Sequence, residues 1–260
     1  DTKLTLTTPY GTVGMFISEG GLDLEDGASQ SVYARPTDMG DPSATSDNYT
    51  IDSYNNVQYH MPADMLPFGI VGKIAYAPDL DSYGSGNNGG ATQSEGGTTY
   101  VGRSATEMQV KANPIDGLNI GASYFEFDKQ GAAKSDQKAE SGSYMATYAV
   151  GNFTVGYSKG FKAELVTDSE NAGWDHYDQT NYSLAMIVND NLSISYEKEK
   201  SKAEANLDSA DDVEQASTSY QVAYNMGGMT LALVRSSHDN NGYVADANQD
   251  QTLVAVTMAF

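Results

Sequence analysis

The residues best suited to chemistry in this sequence are carboxylates gathered in one irregular segment, Glu19 to Asp52. The segment is rich in Asp, Gly, Pro and Ser, has no steady hydrophobic period, and contains one basic residue, Arg35. Its acidic candidates are Asp23, Glu25, Asp26, Asp38, Asp41, Asp47 and Asp52. A long irregular segment inside a compact chain is usually functional or disordered. Clustered carboxylates attract cations most strongly beside a low-dielectric wall, although simple exposure to water is the plainest interpretation of each one.

Bond-making chemistry finds little support in the sequence. The histidines His60, His176 and His238 are scattered, and no HExxH motif is present. A second acidic group offers oxygen ligands for a divalent cation but lacks the spacing of a calcium-binding loop. This group consists of Asp208, Asp211, Asp212 and Glu214. We therefore predict a chain without catalytic residues, metal sites or cofactors.

Composition narrows the class of protein further. The 260 residues include 14 basic and 35 acidic side chains, for a formal net charge of −21, and no Cys. Such an acidic chain is a poor partner for nucleic acid, whose phosphates need Lys and Arg. The sequence has no apolar run long enough for a membrane helix. Composition does not exclude a membrane β-barrel, because its membrane strands are alternating segments of about ten residues with low mean hydropathy.

The elements that would position the charged residues are β-strands. In the last segment, Gln251 to Phe260, Val254, Val256 and Met258 share one face with the terminal ring, and small residues occupy the other. Period-two alternation is typical of strands. The same pattern recurs along the chain and predicts about thirteen strands, joined by short turns and long links in strict alternation. This is the layout of an antiparallel up-and-down meander with all short turns at one rim.

Two architectures satisfy this pattern, a transmembrane β-barrel and a soluble β-sandwich used for adhesion. In a sandwich the apolar face would be the core. In a barrel the apolar face meets lipid and the polar face lines the interior. Tyr and Phe recur near the ends of the apolar faces, as at Tyr76, Tyr124, Tyr182 and Tyr220. Aromatic rings with one edge in water are favoured at the two lipid–water interfaces of a bilayer, so we predict the barrel.

Three stretches carry a resemblance to a known family: Tyr54 to Tyr59 (YNNVQY), Phe68 to Tyr76, and the terminal Phe260. Together with the order of links, they make the whole chain resemble the trimeric general diffusion porins of Gram-negative bacteria. The resemblance implies a barrel of sixteen strands in the outer membrane, with a constriction loop folded into the lumen. It also implies a homotrimer, contact with outer-membrane lipid and lipopolysaccharide, and the passage of small hydrophilic solutes and ions. Phe260 would be the assembly signal.

The strand count leads to an expectation about completeness. The long segment follows the second strand of the chain, whereas the family's constriction loop follows the fifth. The first strand here would then be the family's fourth, and three plus thirteen gives sixteen. We therefore expect residues 1–260 to be one β-barrel domain that lacks the first three strands, roughly 60–80 residues, with residues 19–52 as the constriction loop. A complete barrel of thirteen or fourteen strands is the alternative.

Alternate residues of each strand form a polar face, and membership of that face (the polar parity) predicts which charged side chains point into the lumen. These are Lys3, His60, Lys73, Arg103, Glu107, Lys111 and Glu197. An acidic loop opposite a basic wall would set a transverse field, as the resemblance implies. Because acidic residues greatly outnumber basic ones, we predict a cation-preferring channel that does no bond chemistry. A substrate-specific channel of the same architecture stays open, although no series of aromatic residues is visible at lumen parity.

Overall fold

The structure is a computed structural model that describes residues 2–39, 47–78, 92–95, 98–101, 104–128, 137, 139–164 and 173–258. Its regular structure is β apart from short 3₁₀ turns, which confirms the predicted all-β class. Within these residues no helix is long and apolar enough to cross a membrane.

Fifteen strands occur in the described residues. They are β1 (Thr2–Thr8), β2 (Gly11–Ile17), β3 (Asn56–His60), β4 (Val71–Ala77), β5 (Thr92–Glu95), β6 (Thr98–Val101), β7 (Ser104–Ile115), β8 (Leu118–Asp128), β9 (Glu140–Val150), β10 (Phe153–Ala163), β11 (Trp174–Asn189), β12 (Leu192–Ala205), β13 (Val213–Asn225), β14 (Met229–Asp239) and β15 (Gln249–Met258).

Thirteen of these strands form one antiparallel sheet in which chain neighbours are also sheet neighbours. This confirms the predicted meander of about thirteen strands. β5 and β6 form a separate two-stranded sheet inside the link between β4 and β7. That link is Gly-rich and polar, so no apolar alternation indicates this short hairpin in the sequence. In the described residues β1 pairs with β2 alone and β15 with β14 alone, so the sheet is open between its edge strands.

Short turns and long links alternate along the sheet, as the sequence predicted. Two-residue turns join β1 to β2, β7 to β8, β9 to β10 and β11 to β12. Glycines at positive φ permit several of them, including Gly117 (φ 79°) and Gly151 (φ 57°). The long links lie at the opposite rim, and the strands reach further into them than the apolar pattern indicated. β12, for example, continues to Ala205 and β13 begins at Val213, so both strands extend into the polar stretch between their apolar alternations.

The two faces of the sheet differ in chemistry and in burial. On one face lie apolar side chains that stay exposed, such as Leu4 (72% exposed), Leu233 (49%) and Val254 (63%). Tyrosines from adjacent strands meet on this face, with ring centroids 5.4 Å apart for Tyr157 and Tyr182. The opposite face carries buried Ser, Asn, Gln and Glu. A soluble sandwich would bury the apolar face, so the sidedness is that of a barrel wall.

Candidate functional site

The segment between β2 and β3 lies against the polar face of the sheet. Three 3₁₀ turns shape it, at Glu25–Ala28, Pro36–Asp38 and Ile51–Ser53. Because the regular structure of the segment is limited to these short turns, most of its backbone groups need partners outside it. Polar side chains of the wall strands provide them, and the wall residues of β7 to β13 fix the course of the segment. We call residues 18–55 the inner loop.

Glu107 on β7 holds both ends of the inner loop. Its Oε2 accepts the backbone N–H of Leu22 at 3.3 Å and the backbone N–H of Ile51 at 2.9 Å. Two residues along the same strand, the amide of Gln109 donates to the carbonyl of Leu22 at 2.7 Å. Glu107 is 1% exposed, so its hydrogen-bond partners are these backbone N–H groups rather than water.

The first 3₁₀ turn packs on β9, β10 and β11. The Ser143 hydroxyl accepts the Leu24 N–H at 3.2 Å, and the Ser158 hydroxyl donates to the Glu25 carbonyl at 2.6 Å. Gly156 allows this close approach, because a Cβ at that position would collide with the carbonyl of Ala28. Small wall residues therefore bring the loop backbone into direct contact with the wall.

Glu197 on β12 is the anchor for the middle of the loop. Its Oε2 accepts the hydroxyls of Ser29 at 2.7 Å and Ser31 at 2.5 Å, and its Oε1 accepts the amide of Asn181 at 2.5 Å. The side chain is fully buried. Further along the sheet, the Gln221 amide oxygen accepts the Tyr33 N–H at 3.0 Å. The inner loop thus spans the wall from β7 to β13.

Arg35 is the centre of an ion-pair network. Its Nε lies 2.8 Å from Oε1 of Glu199, and its guanidinium also pairs with Asp26. The second Glu199 oxygen accepts the backbone N–H and the hydroxyl of Thr37. Burial lowers the pKa of Arg35, but the two carboxylates outweigh burial and raise it above its ordinary value. The guanidinium is therefore charged at any physiological pH.

Beside this network lies a cluster of loop acids. Burial and then the charge of Asp26 raise the pKa of Glu25 to about 9. Burial likewise raises the pKa of Asp26 to about 7, with Arg35 opposing the shift. Burial and the charge of Asp23 raise the pKa of Asp52. The recess among Glu25, Asp26 and Arg35, about 30 Å³ in volume, is also lined by Asp47, Glu199 and Lys200. It therefore contains both carboxyl and basic groups.

An apolar cluster supports the other side of the loop. Phe125 and Phe127 of β8 are buried on the inner face, and Tyr49 of the loop contacts both rings, with centroids 5.7 and 4.9 Å away. Leu22 and Ile51 complete the cluster. No series of aromatic residues is visible in the sequence at lumen parity, because the apolar residues of this strand change face after Tyr124. The inward rings are thus covered by the loop.

The predicted wall residues of β1 to β7 take the following positions. Lys3 is exposed and pairs with Glu19 at 2.9 Å. His60 contacts the Gln58 amide at 2.7 Å, and its ring lies 6.0 Å from that of Phe16. His60 and Lys73 are cross-strand partners, and Lys111 lies on the next strand, opposite Val71. These three basic side chains share one face near the short-turn rim.

The remaining predicted residues are more dispersed. Asp38 and Asp47 are exposed, and Asp23 is half-buried close to Asp52. Asp41, Arg103 and Phe260 lie outside the described residues. Glu199, Asn181, Gln221 and the wall serines were not predicted from the sequence. Nothing local indicates that Glu199, Gln221 and the serines contact a segment more than a hundred residues away.

Comparison with solved structures identifies the architecture. An anion-selective porin from Comamonas acidovorans superposes with a TM-score of 0.64 at 12% identity, covering 99% of this chain and 77% of the porin. The outer-membrane protein OmpT of Vibrio cholerae gives 0.60 at 14%, covering 96% and 76%. A trimer form of OmpT gives 0.57 at 14%, covering 98% and 77%. The chain has the outer-membrane porin fold. No family model and no curated protein matches the sequence.

The porin fold gives the two faces of the sheet their orientation. In this architecture the exposed apolar face points away from the barrel axis and the polar face points toward it. The inner loop, with its Arg35 network and acidic cluster, is consequently on the axial side of the wall.

Proposed function

We propose that this protein is an outer-membrane channel for the passive diffusion of small hydrophilic solutes and ions. The observation that carries the proposal is the inner loop: a hydrogen-bonded, charged segment packed on the polar face of a sheet whose other face is apolar and exposed. A water-filled channel needs both features, a lipid-compatible outside and a polar inside whose width and charge select solutes. This function requires no bond chemistry.

The inner loop is the proposed constriction. Its side chains that select solutes are those of the acidic cluster and of Arg35, namely Asp23, Glu25, Asp26, Arg35, Asp38, Asp41, Asp47 and Asp52. The basic patch of His60, Lys73 and Lys111 faces the same lumen from the wall. Lys73 and Lys111 sit on polar-face positions in mid-strand, where lipid exposure would cost about 2–4 kcal/mol, which favours their lumen assignment.

Cation preference follows from the balance of these charges. The chain carries 35 acidic and 14 basic side chains, and the loop itself has a single basic residue. Charges inside a low-dielectric wall act more strongly than those on an open surface, so an acidic constriction enriches cations in the lumen. The Comamonas neighbour is described as anion-selective. We propose the opposite preference here.

The assembly we propose is a homotrimer embedded in outer-membrane lipid and lipopolysaccharide. One of the OmpT structures is described as a trimer, which supports this arrangement. The exposed apolar side chains of β1 and β2, including Leu4, Leu6 and Met15, offer a surface that needs cover from lipid or a second copy. Phe260 remains the proposed assembly signal.

Recording from a planar lipid bilayer tests the proposal directly. The protein should give stepwise conductance, and a potassium chloride gradient should give a reversal potential of the sign for cation preference. Absence of conductance steps would contradict the channel. A reversal potential of the opposite sign would contradict the selectivity while leaving the channel standing. A panel of uncharged sugars of increasing size would then measure the width of the constriction.

A further inference from the structure

Three side chains that the proposed channel does not use meet at the start of β11. Nδ1 of His176 lies 2.9 Å from Oδ1 of Asp175, and Nε2 of the same ring lies 3.3 Å from Oε2 of Glu204. One potential ligand atom from each of the three residues lies within 4.8 Å of the others. An imidazole and two carboxylates at this separation form a candidate metal-binding group.

The backbone explains why these residues meet. His176 and Glu204 are direct cross-strand partners on β11 and β12, so their side chains point to the same face of the sheet. The register shifts between Trp174 and His176, which places Asp175 at an irregularity in the ladder. A bulge of this kind re-aims a side chain that would otherwise point to the opposite face. The group is therefore built by the fold and is not a chance run of acids on a loop.

One of the carboxylate oxygens has no hydrogen-bond donor in the described structure. Oδ1 of Asp175 is enclosed, yet it accepts no hydrogen bond, although the His176 ring is near. An enclosed carboxylate oxygen without a donor is costly. A coordinated cation would compensate the charge on Oδ1 of Asp175. Both carboxylates would then have a positive partner in addition to the imidazole.

The charge of the neighbourhood matches a divalent cation. Lys202 pairs with Oε1 of Glu204 at 3.1 Å and with Asp212 at 2.8 Å. Three carboxylates (Asp175, Glu204 and Asp212) and one ammonium leave a charge of 1 − 3 = −2 when the imidazole is neutral. Lys202 pairs with Oε1 of Glu204 and with Asp212, so Oε2 of Glu204 still faces His176. A single M²⁺ ion would neutralise the site.

The donor set selects the kind of metal. One nitrogen and two oxygen donors suit zinc and neighbouring transition metals better than calcium, which takes six to eight oxygens. Zinc bonds of about 2.0–2.2 Å separate tetrahedral ligand atoms by roughly 3.3–3.6 Å. The Nε2 to Oε2 distance of 3.3 Å already agrees with that spacing. Oδ1 of Asp175 contacts the other ring nitrogen, Nδ1, so the Asp175 side chain must rotate to become the third ligand.

We propose that Asp175, His176 and Glu204 bind a divalent transition-metal ion, with Zn²⁺ as the reference ion and water completing the coordination. The site joins β11 to β12 at the rim of the long links, away from the Asn189–Leu192 turn. The bound metal ion crosslinks β11 and β12 where their hydrogen-bond ladder is irregular. This inference does not depend on the channel function.

Isothermal titration of the metal-stripped chain in detergent with zinc chloride tests the site. The expected result is one Zn²⁺ per chain, with affinity at least tenfold weaker in His176→Gln and in Glu204→Gln. Asp208→Asn, which removes an exposed acid near the same rim, is the matched control and should change the affinity less than twofold. Lys202→Met should tighten binding, because it frees Oε1 of Glu204 and leaves the site more negative.

X-ray absorption of the zinc-loaded chain provides a readout that does not depend on how well the variants fold. The spectrum should contain imidazole scattering and a first shell of nitrogen and oxygen at about 2.0–2.2 Å. Zinc should also raise the melting temperature of the parent chain but not that of His176→Gln. A first shell without imidazole, equal affinity in His176→Gln, or an equal loss in Asp208→Asn would each overturn the proposal.

Discussion

Arg35 and Glu199 form an ion pair at 2.8 Å between Nε and Oε1, although they lie 164 residues apart in the chain. The Arg35 side chain is 17% exposed and that of Glu199 is 7% exposed. One partner belongs to the inner loop and the other to the wall strand β12. The pair therefore fastens the loop to the wall and also sets the charge at the site. Replacing Arg35 affects both properties.

Arg35→Met should destabilise the protein and increase cation preference. The substitution leaves Glu199 and Asp26 without their guanidinium, and breaking a buried pair from one side costs about 3 kcal/mol. Thermal unfolding monitored by circular dichroism checks the stability, and reversal potentials check the selectivity. Arg235→Met is the control, because Arg235 pairs with Asp250 where both side chains are more than half exposed. Such exposed pairs contribute about 0–1 kcal/mol. Equal effects of the two variants would contradict the role of the Arg35 network.

Glu107→Gln should loosen both ends of the inner loop at once. Oε2 of Glu107 accepts the N–H groups of Leu22 and Ile51, whereas Gln keeps one acceptor oxygen and brings an NH₂ donor to the same place. We expect a loss of about 1 kcal/mol for Gln, and about 3 kcal/mol for Ala, which leaves both N–H groups unpaired. Limited proteolysis should show faster cleavage within residues 19–52. The matched exposed variant Glu214→Gln should cleave at the parent rate, and parent-like cleavage of Glu107→Ala would contradict the anchor.

Acidification should tighten the docking of the loop. The pKa of Glu25 is raised from 4.5 to about 9, and that of Asp26 from 3.8 to about 7. Between the ordinary and the raised values the folded state binds more protons than the unfolded state, so stability falls as pH rises through this window. The groups around Glu25 are Asp23, Asp26 and Asp47, all acidic, and Arg35 acts on Asp26.

The measurement for this pH dependence is melting temperature and channel conductance from pH 5 to 9. Stability should decline and cation preference should grow as the pH rises. In Glu25→Gln the decline above pH 7 should largely disappear, because the group that titrates there is gone. Asp38→Asn, which changes an exposed loop acid, should retain it. Stability that rises with pH over the same window would refute the assignment of the protonated acids.

The sequence predicted the wall better than the loop, for a physical reason. Strand parity is a local property, so alternation alone assigns Glu107, Glu197 and Lys73 to the polar face. Alternation persists only along the band of the sheet where one face is apolar. Beyond that band both faces of a strand can be polar, and the pattern missed the ends of β12 and β13. At Phe125 and Phe127 the apolar residues change face, since there they pack beneath the inner loop.

The partners of the loop could not be predicted from the sequence. Glu199 and Gln221 are ordinary polar residues in their strands, and their role depends on contacts with residues more than a hundred positions away. The metal-binding group depends on a register shift at Asp175, which composition does not encode. Residue type indicates what a side chain can do, whereas its partner depends on the fold.

Gly156→Ala should displace the first 3₁₀ turn from the wall. A Cβ at Gly156 would overlap the carbonyl of Ala28 and crowd the Ser183 hydroxyl, so the loop must shift. We expect a loss of about 1–3 kcal/mol, as for other overpacked sites, and an altered conductance. Gly72→Ala is the control, since a Cβ there meets its neighbours at 3.9 and 4.0 Å, which is ordinary contact. Unchanged conductance and stability in Gly156→Ala would contradict the close packing of loop and wall.

Arginine substitutions at two adjacent residues of β12 test the sidedness of the whole sheet. Ile194 is exposed on the apolar face and pairs with Met186 and Val222, whereas Ser193 lies on the polar face. If the apolar face meets lipid, Ile194→Arg should cost about 2–4 kcal/mol and reduce the yield of folding into lipid vesicles, while Ser193→Arg should fold nearly normally and lower cation preference. Heat-modifiable gel mobility measures folding, and bilayer recording measures selectivity. If Ser193→Arg blocked folding and Ile194→Arg did not, the orientation of the wall would be reversed and the channel proposal would fail with it.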